Sequence, residues 1–356
     1  MPIKYLGSKR RLVGVIGALF SAAGGGSALD LFTGTTRVAQ ELKGRGGLVT
    51  AVDRARYAAV FARSAIATDA VTVDLDALDE ELMLLDALAP EPGYVTRMFC
   101  EEARFFRPEN GARIDAIRDA IEARRGHPHY PILLTSLIEA ADRVDSTTGV
   151  QMAYLKEWAP RAHQRLTLRR PDLLAGPGTA IRGDAIATLP ALGAFDFAYL
   201  DPPYNQHRYE ANYHVWETLV AWDEPEPYGV ARKRLELSDR SRTSAFNRRR
   251  EMPKALAACV DGVDARVVVV SYNDESWIAL DELVDMCRGH GKVEVLAFDS
   301  KRYVGAQIGG YNPAGVRVGT VSRLRNVEYL VVSGAAPDVA RASQPLMDAA
   351  ISPVGR

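Results

Sequence analysis

Seven short apolar runs lie along the chain, and most are continuous rather than alternating between apolar and polar residues. This pattern is typical of strands that are covered on both faces of a sheet. The runs occupy residues 27–32, 47–53, 179–185, 195–200, 266–272, 292–298 and 327–333. Amphipathic helical patterns, as in residues 54–67 and 275–288, separate several of them. The alternation predicts an α/β fold with a doubly wound, mostly parallel, Rossmann-like sheet.

One long interval breaks this rhythm, because no strand pattern occurs between Asp53 and Ile181. Helical patterns fill it instead, in residues 112–125, 131–144 and 151–158. We therefore predict a largely helical insertion at residues 70–175, which divides a catalytic domain into residues 1–69 and 176–335. Residues 336–356 are predicted to form a flexible C-terminal tail.

The composition is that of an ordinary globular protein, with 47% hydrophobic residues, 25% charged residues and a net charge of −1 over 356 residues. No run is long and apolar enough to span a membrane, and the first residues lack the apolar core of a signal peptide. The three cysteines form no disulfide or metal-binding pattern. We expect a cytoplasmic protein with no membrane partner and no metal.

The run at residues 195–200 is followed directly by Asp201, Pro202, Pro203 and Tyr204. Prolines fix φ near −65° and force the preceding residue into an extended conformation, so this segment is a stiff loop. A simple strand-closing turn explains the prolines alone. In open α/β sheets, however, ligands bind outside the carboxyl ends of the strands. The loop therefore also fits a site that aims a carboxylate and an aromatic ring at a ligand.

Other predicted strand ends carry polar residues as well. Residues 28–39 read as strand, turn and helix start, which is where this fold binds nucleotide-like cofactors. Only Gly34 is present there, so the glycine fingerprint of a dinucleotide oxidoreductase is absent. Asp53 suits a ribose diol, because a carboxylate accepts both hydroxyl protons. Asp184 suits either an exocyclic amine or a helix N-cap.

Two basic segments have both a structural and a functional interpretation. Lys4 and Lys9 flank Gly7, either as an exposed N-terminus or as a loop whose lysine pairs with a carboxylate. Residues 231–254 hold nine Lys or Arg residues against three Asp or Glu residues, interrupted by Phe246. Such a run is either a solvated face or, because it follows the Asp201 loop, part of the same cleft.

The ordered set of these segments resembles the Dam-type, alpha-group DNA adenine-N6 methyltransferases. The family pattern has a K-x-x-G-x-K segment, D-x-F-x-G-x-G, an acidic residue, a recognition insertion and then D-P-P-Y. The chain has these segments in the same order, as "KYLGSK" (4–9), "DLFTGT" (30–35), "VD" (52–53), the helical insertion and "DPPY" (201–204). Segments 104–118 and 141–156 also resemble the family's insertion. The second glycine of the family pattern is replaced by Thr35 or Thr36.

The resemblance implies S-adenosylmethionine as cofactor and double-stranded DNA as partner. The residues that it implies for the cofactor are Tyr5, Gly7, Lys9, Asp30, Phe32, Gly34, Thr35, Asp53, Asp184 and Asp201. Catalysis is assigned to Asp201, Pro202, Pro203 and Tyr204, and DNA contacts are expected at Arg242, Arg248, Arg249 and Arg250. Asp201 and the Pro202 carbonyl would accept the two protons of a flipped-out adenine amine, and Tyr204 would stack on the base.

Three alternatives remain at this stage. The same loop chemistry would serve an N4-cytosine DNA methyltransferase or an RNA-base methyltransferase. A catalytically inactive nucleic-acid-binding module on the same fold is a third, although Lys9, Asp53 and Asp201 are all retained. The sequence leaves open the recognition site and whether a companion restriction endonuclease exists.

Overall fold

A computed structural model describes residues 3–5, 9–203, 208–239, 241, 243–301 and 325–346 of the chain. The strands are β1 (Ser27–Asp30), β2 (Leu48–Asp53), β3 (Gly178–Arg182), β4 (Phe195–Leu200), β5 (Pro227–Tyr228), β6 (Lys233–Arg234), β7 (Ala265–Asn273), β8 (Lys292–Lys301) and β9 (Arg325–Gly334). The first six helices are α1 (Val13–Ala22), α2 (Arg37–Gly44), α3 (Arg56–Ala62), α4 (Leu75–Asp86), α5 (Pro108–Glu122) and α6 (Tyr130–Val144). The others are α7 (Ala185–Thr188), α8 (Tyr209–Asn212), α9 (His214–Ala221), α10 (Met252–Gly262), α11 (Leu280–Cys287) and α12 (Ala336–Ser343).

Seven strands form one sheet in the order β3-β2-β1-β4-β7-β9-β8. The pairs β3–β2, β2–β1, β1–β4 and β4–β7 are parallel, whereas β9 runs antiparallel to both β7 and β8. The order reverses beside β1, because the chain moves from β1 outward to β3 and then returns to β4. The predicted α/β class and mostly parallel sheet are confirmed, and each predicted apolar run overlaps one strand of this sheet.

Helices cover both faces of the sheet, which explains the continuous apolar runs. In β4, Phe197 and Tyr199 pack into a core with α1, α2 and α12. Their neighbours Ala198 and Leu200 pack on the opposite face with α7, α10 and α11. Successive residues of a strand point to opposite faces, so a strand buried on both sides needs an apolar residue at every position.

Residues 70–175 contain no strand, and the structure describes this interval throughout. Its helices α4, α5 and α6 share a third core with α3 and α9, which flank them in sequence. Arg118 of α5 is fully buried and donates to the Leu219 and Val220 carbonyls near the end of α9. The helical interval is therefore attached to the sheet domain by hydrogen bonds and by a shared core. Its boundaries at residues 70 and 175 stay a prediction.

Two local predictions are corrected. Residues 151–158 were expected to be helical but are irregular. Their backbone bonds to distant groups instead, since Gln151 N donates to the Asn212 carbonyl and Leu155 N to the Ser146 carbonyl. Helix α11 begins at Leu280 rather than residue 275, because the Asn273 side chain accepts from Glu275 N and closes a turn there.

The predicted flexible tail also needs correction for residues 336–346. This segment forms α12 and one further turn, and Val339 and Ala342 are fully buried against α1 and the sheet. Arg266 holds the helix through Asp338 at 3.0 Å. In the sequence, the three-residue spacing of the apolar residues Val339 and Ala342 was the indication of this helix. Residues 347–356 lie outside the described part of the chain.

No helix in the described ranges is both long and apolar enough to cross a lipid bilayer.

We predict that the free energy of unfolding depends on pH through the buried carboxyl group of Glu217 in α9. Its Oε1 accepts from the backbone N–H of Arg56 at 2.7 Å and of Tyr57 at 3.3 Å, at the start of α3. Burial raises the pKa of Glu217 to about 7. Its stabilising contribution is complete below the unfolded pKa and is lost as the pH rises through 7. Between pH 5.5 and 8.5 the loss is about 2 kcal/mol.

We expect Glu217→Gln, which keeps the acceptor oxygen without a charge, to remove this part of the pH dependence. Urea unfolding at the two pH values measures it, with exposed Glu91→Gln as the control. Parallel pH profiles for the wild type and Glu217→Gln would show that the buried charge is not the cause.

Candidate active site

One open cleft lies at the carboxyl ends of β1, β2, β3 and β4, with about 1110 Å³ of space that includes the solvent at its mouth. Most of the residues predicted from the sequence line it together. These are Tyr5, Lys9, Asp30, Phe32, Gly34, Thr35, Asp53, Asp184, Asp201 and Pro203. Pro202 is buried behind them. Gly7, Tyr204 and Arg242 lie outside the residues that the structure describes.

In the turn after β1, residues 34 and 36 stand where the family pattern has its two glycines, and both have a left-handed backbone. Gly34 has φ +51°, and a Cβ there would lie 3.2 Å from the Tyr5 ring. Thr36 has φ +61° and ψ +14°, so it occupies the left-handed position of the missing second glycine. Its hydroxyl donates to the Thr35 carbonyl and accepts from Gln40 Nε2, both at 2.7 Å. These bonds offset part of the cost of a β-branched residue in this conformation.

Asp30 is almost fully buried at the end of β1. Its Oδ2 accepts from Thr33 Oγ1 at 2.9 Å and from Ala39 N at 3.2 Å. Its Oδ1 is also buried but has no hydrogen-bond partner among the described residues. Burial, with a smaller contribution from the Asp201 carboxylate, raises the pKa of Asp30 to about 7, although the hydrogen bonds from Thr33 and Ala39 oppose this shift. An unpartnered carboxylate oxygen inside a cleft suits a cationic ligand.

Asp53 ties the first two strand ends together. Its Oδ2 accepts from Gly34 N and its Oδ1 from Ala55 N, each at 2.8 Å. Burial raises the pKa of Asp53, although these backbone donors oppose that effect. Each carboxylate oxygen has two lone pairs, so capacity remains for the hydroxyls of a ribose.

Asp184 has the helix N-cap role, one of the two interpretations given from the sequence, and its contact with a ligand amine stays a prediction. Its Oδ1 accepts from Ile186 N at 3.1 Å and Ala187 N at 3.2 Å, which makes it the N-cap of α7. The same residue lines the cleft. The cap fixes the orientation of the carboxylate, and this orientation places it within reach of a ligand.

Asp201 follows β4 and forms an ion pair with Lys9, whose Nζ lies 3.2 Å from Oδ1. The same Nζ lies 3.2 Å from Glu328 Oε2 on β9. Burial raises the pKa of Asp201 to about 6, and the charge of Lys9 opposes this shift. Lys4, the other lysine of the N-terminal segment, pairs instead with Asp142 and Asp145 near the end of α6.

Aromatic residues that the sequence analysis missed form one wall. Tyr5 stacks on Tyr209 and Tyr213, with ring centroids 5.3 and 4.7 Å apart, and its hydroxyl lies 3.1 Å from that of Tyr57. Tyr209 itself lines the cleft. The four-residue spacing of Tyr209 and Tyr213 was the available indication in the sequence. It could not show that these rings would stack on Tyr5, about 200 residues away.

The basic segment 231–254 lines the same cleft through its uncharged residues. Ser244, Phe246 and Asn247 face it, and Phe246 packs edge-on against Phe32 with centroids 5.1 Å apart. The expectation that this segment reaches the cleft is therefore met at these positions.

The arginines of this segment have different environments. Arg234 is buried against Asp223 and Glu236. Arg248 pairs with Glu251 at 3.0 Å. Arg249 and Arg250 are exposed. These two side chains are therefore accessible to a polyanion. The DNA contacts expected at Arg242, Arg248, Arg249 and Arg250 stay a prediction.

A family model for D12 class N6 adenine-specific DNA methyltransferases matches residues 5–286. The chain belongs to this family. The type II methyltransferase M.NlaIII of Neisseria lactamica is 28% identical over 85% of this chain and 92% of its own length. The type II methyltransferase M.CviAII of Paramecium bursaria Chlorella virus 1 is 31% identical, over 64% of this chain and 68% of its own.

Enzymes of this family transfer a methyl group from S-adenosylmethionine to the N6 amine of adenine in DNA. This confirms the predicted enzyme class, cofactor and reaction, and it removes the N4-cytosine, RNA-base and inactive-module alternatives. The cleft fits the cofactor, since the buried and unpartnered Asp30 oxygen faces a space that a cationic molecule would enter.

One histidine cluster lies outside this cleft. Ligand atoms of Glu81, His127 and His129 fall within 4.8 Å of one another. Hydrogen bonds already satisfy them, because His129 Nδ1 lies 3.0 Å from Glu81 Oε2 and His127 Nδ1 accepts from His129 N. A neutral His127 that accepts at Nδ1 carries its proton on Nε2, so neither nitrogen is free for a metal.

The raised pKa of Asp30 predicts pH-dependent cofactor binding. The bound cofactor carries a sulfonium and an ammonium, so it favours the ionised form of Asp30. We expect its affinity to increase by up to about tenfold between pH 6 and pH 8, as the carboxyl ionises. Titration calorimetry measures this increase.

Asp30→Asn should bind more weakly and lose the pH dependence, whereas Asp264→Asn, an exposed change before β7, should behave as wild type. An unchanged pH dependence in Asp30→Asn would assign the titration to another group.

Proposed function

We propose that the cleft binds S-adenosylmethionine along the ends of β1, β2 and β3 and the target adenine at Asp201–Pro203. The observation that supports this proposal is that residues of both parts line the same cleft. The cleft joins the Thr33–Thr35 turn, Asp53, Asp184 and Asp201 in one continuous space. Carboxyl ends of neighbouring parallel strands meet at one edge, and ligands of this fold bind there.

On the cofactor side, each strand end supplies a different type of contact. Asp30 and Tyr5 suit the charged methionine part, Asp53 suits the ribose hydroxyls, and Asp184 suits the amine of the cofactor's adenine. Phe32 and Phe246 provide an apolar wall for a planar ring. Lys9, one of the residues expected to bind the cofactor, lines the cleft and also contacts Asp201 and Glu328, so we assign it a further role at the catalytic loop.

On the target side, Asp201 and Pro202 act as hydrogen-bond acceptors. An exocyclic amine of adenine is a poor nucleophile, because its lone pair is delocalised into the ring. Acceptors for both N–H protons favour a pyramidal nitrogen with its lone pair free to attack. S-adenosylmethionine supplies the electrophilic methyl group on its sulfonium. Positioning and preorganised acceptors then provide most of the rate enhancement.

The DNA partner is double-stranded in this proposal. The target base must leave the duplex to reach Asp201, which costs a few kcal/mol. Residues 70–175 are held beside the cleft through α3 and α9 and are large enough to contact several base pairs. We assign sequence recognition to this insertion, as expected from its position before the catalytic loop.

A companion restriction endonuclease is part of the proposal. Relatives are named as type II methyltransferases, and others as modification methylases, including LlaI of Lactococcus lactis subsp. lactis. In such a pair, methylation by this enzyme would protect DNA from cleavage at the same sequence.

Substitution of Asp201 tests the target side. We expect Asp201→Ala to abolish methyl transfer and to leave cofactor affinity within a few-fold of wild type. Asp201→Asn should be nearly as damaging, because its amide group donates where two acceptors are needed. Transfer of tritiated methyl groups to DNA measures the first effect and calorimetry the second. Full turnover by Asp201→Ala would overturn the assignment.

Substitution of the exposed arginines tests the DNA side. We expect Arg249→Gln with Arg250→Gln to weaken binding to all duplex sequences and to reduce the salt-dependence slope by about two. The matched control replaces Arg45 and Arg341, which lie near the amino ends of the strands, away from the cleft. Equal salt slopes for the two double variants would show that Arg249 and Arg250 are only solvated.

A further inference from the structure

Glu328 reaches the active site from a strand that runs the opposite way to its neighbours. In β9 it pairs with Asn273 of β7, and Leu200 at the end of β4 pairs with Val270 of the same strand. Because β9 is antiparallel, its first residues lie at the edge where the parallel strands end. Glu328, near the start of β9, therefore lies beside Lys9 at this edge.

The contacts place one cation between two carboxylates. Lys9 Nζ lies 3.2 Å from Asp201 Oδ1 and 3.2 Å from Glu328 Oε2. The three side chains are 6%, 19% and 16% exposed for Lys9, Asp201 and Glu328, so solvent screens these charges weakly. When all three are ionised, the group has a net charge of −1.

We propose that Glu328 is a positioning residue for methyl transfer, which holds Lys9 away from full pairing with Asp201 and keeps the Asp201 carboxylate available to the target amine. This inference rests on the proposed role of Asp201. Without Glu328, Lys9 could turn toward Asp201 the ammonium hydrogens that it now directs at Glu328. They would then compete with the adenine N–H groups for the same oxygens.

The reaction explains why an available carboxylate matters. A bond forms between the amine nitrogen and the methyl carbon, and the carbon–sulfur bond breaks with its electron pair going to sulfur. The nitrogen then carries a positive charge and must release one proton to give the neutral N6-methyl product. In this arrangement Asp201 accepts a hydrogen bond from an N–H group of the same amine, so it is the base best placed to take that proton. A carboxylate that Lys9 neutralises only in part is suited to this step.

The charges around Asp201 determine the sign of the expected pH effect. Lys9 lowers the pKa of Asp201 and Glu328 raises it. Asp30 at the end of β1 and Tyr199 of β4 also interact electrostatically with Asp201. Removal of the Glu328 charge should therefore lower the pKa of Asp201 from about 6, both directly and because Lys9 is released to pair with Asp201 alone.

The first experiment needs no cofactor. The Asp201 carboxyl carbon is followed by NMR in the cofactor-free enzyme labelled with 13C-aspartate, and the signal is assigned by its absence in Asp201→Asn. We expect Glu328→Gln to move the Asp201 titration to lower pH, and Glu328→Asp, which keeps the charge, to stay closer to wild type. Glu294→Gln, a half-buried change on the adjacent strand β8, is the matched control and should leave the titration unchanged.

The second experiment measures single-turnover methyl transfer to duplex DNA. We expect Glu328→Gln to slow it by about tenfold, equivalent to about one pKa unit of acceptor strength. The acid limb of its pH profile should move to lower pH, and cofactor affinity should stay within about twofold. A wild-type rate in Glu328→Gln, or an Asp201 titration that does not move, would overturn the inference.

Equal slowing in Glu328→Gln and Glu328→Asp with no shift in either pH profile would also overturn it, since this is the result of a purely structural role. If Asp201→Ala retained full activity, the assignment of Asp201 itself would fail. An inactive Asp201→Ala together with a normal Glu328→Gln would reject only the role of Glu328.

Discussion

Helices bury both faces of the seven-stranded sheet, and the acids of the active site therefore lie at the ends of the strands. Asp30, Asp53 and Asp201 each come directly after two buried apolar residues of a strand. Because the strands are parallel, their carboxyl ends meet at one edge. Three acids far apart in sequence therefore share a cleft, and their partial burial raises the pKa of each.

This concentration of carboxylates suits a cationic cofactor but opposes a polyanionic substrate. The structure separates the two requirements. Lys9 partly neutralises the acids within the cleft, between Asp201 and Glu328. Exposed basic residues such as Arg249 and Arg250 lie close in sequence to Phe246, which lines the cleft. A chain with a net charge of −1 can therefore bind DNA through local basic surface rather than through its overall charge.

The helical insertion depends on the sheet domain for part of its core. Tyr57 and Phe61 of α3 and Trp216 of α9 are buried together with side chains of α4, α5 and α6. Glu217 and Arg118 add hydrogen bonds at the ends of α3 and α9. The helix that follows the cofactor-side strand β2 thus also supports the insertion, which provides a direct packing link between the cleft and the proposed DNA-reading part.

The sequence by itself determined the strands, the strand-end acids and the family, because hydrophobic period and short motifs are local properties. Thr36 could be located but its left-handed backbone could not, since residue type argues against it. Glu328, Tyr209 and Phe246 were decided only by the tertiary structure. Their contacts to Lys9, Tyr5 and Phe32 join segments hundreds of residues apart, and the reversal of β9 that brings Glu328 to Lys9 leaves no mark in its own residues.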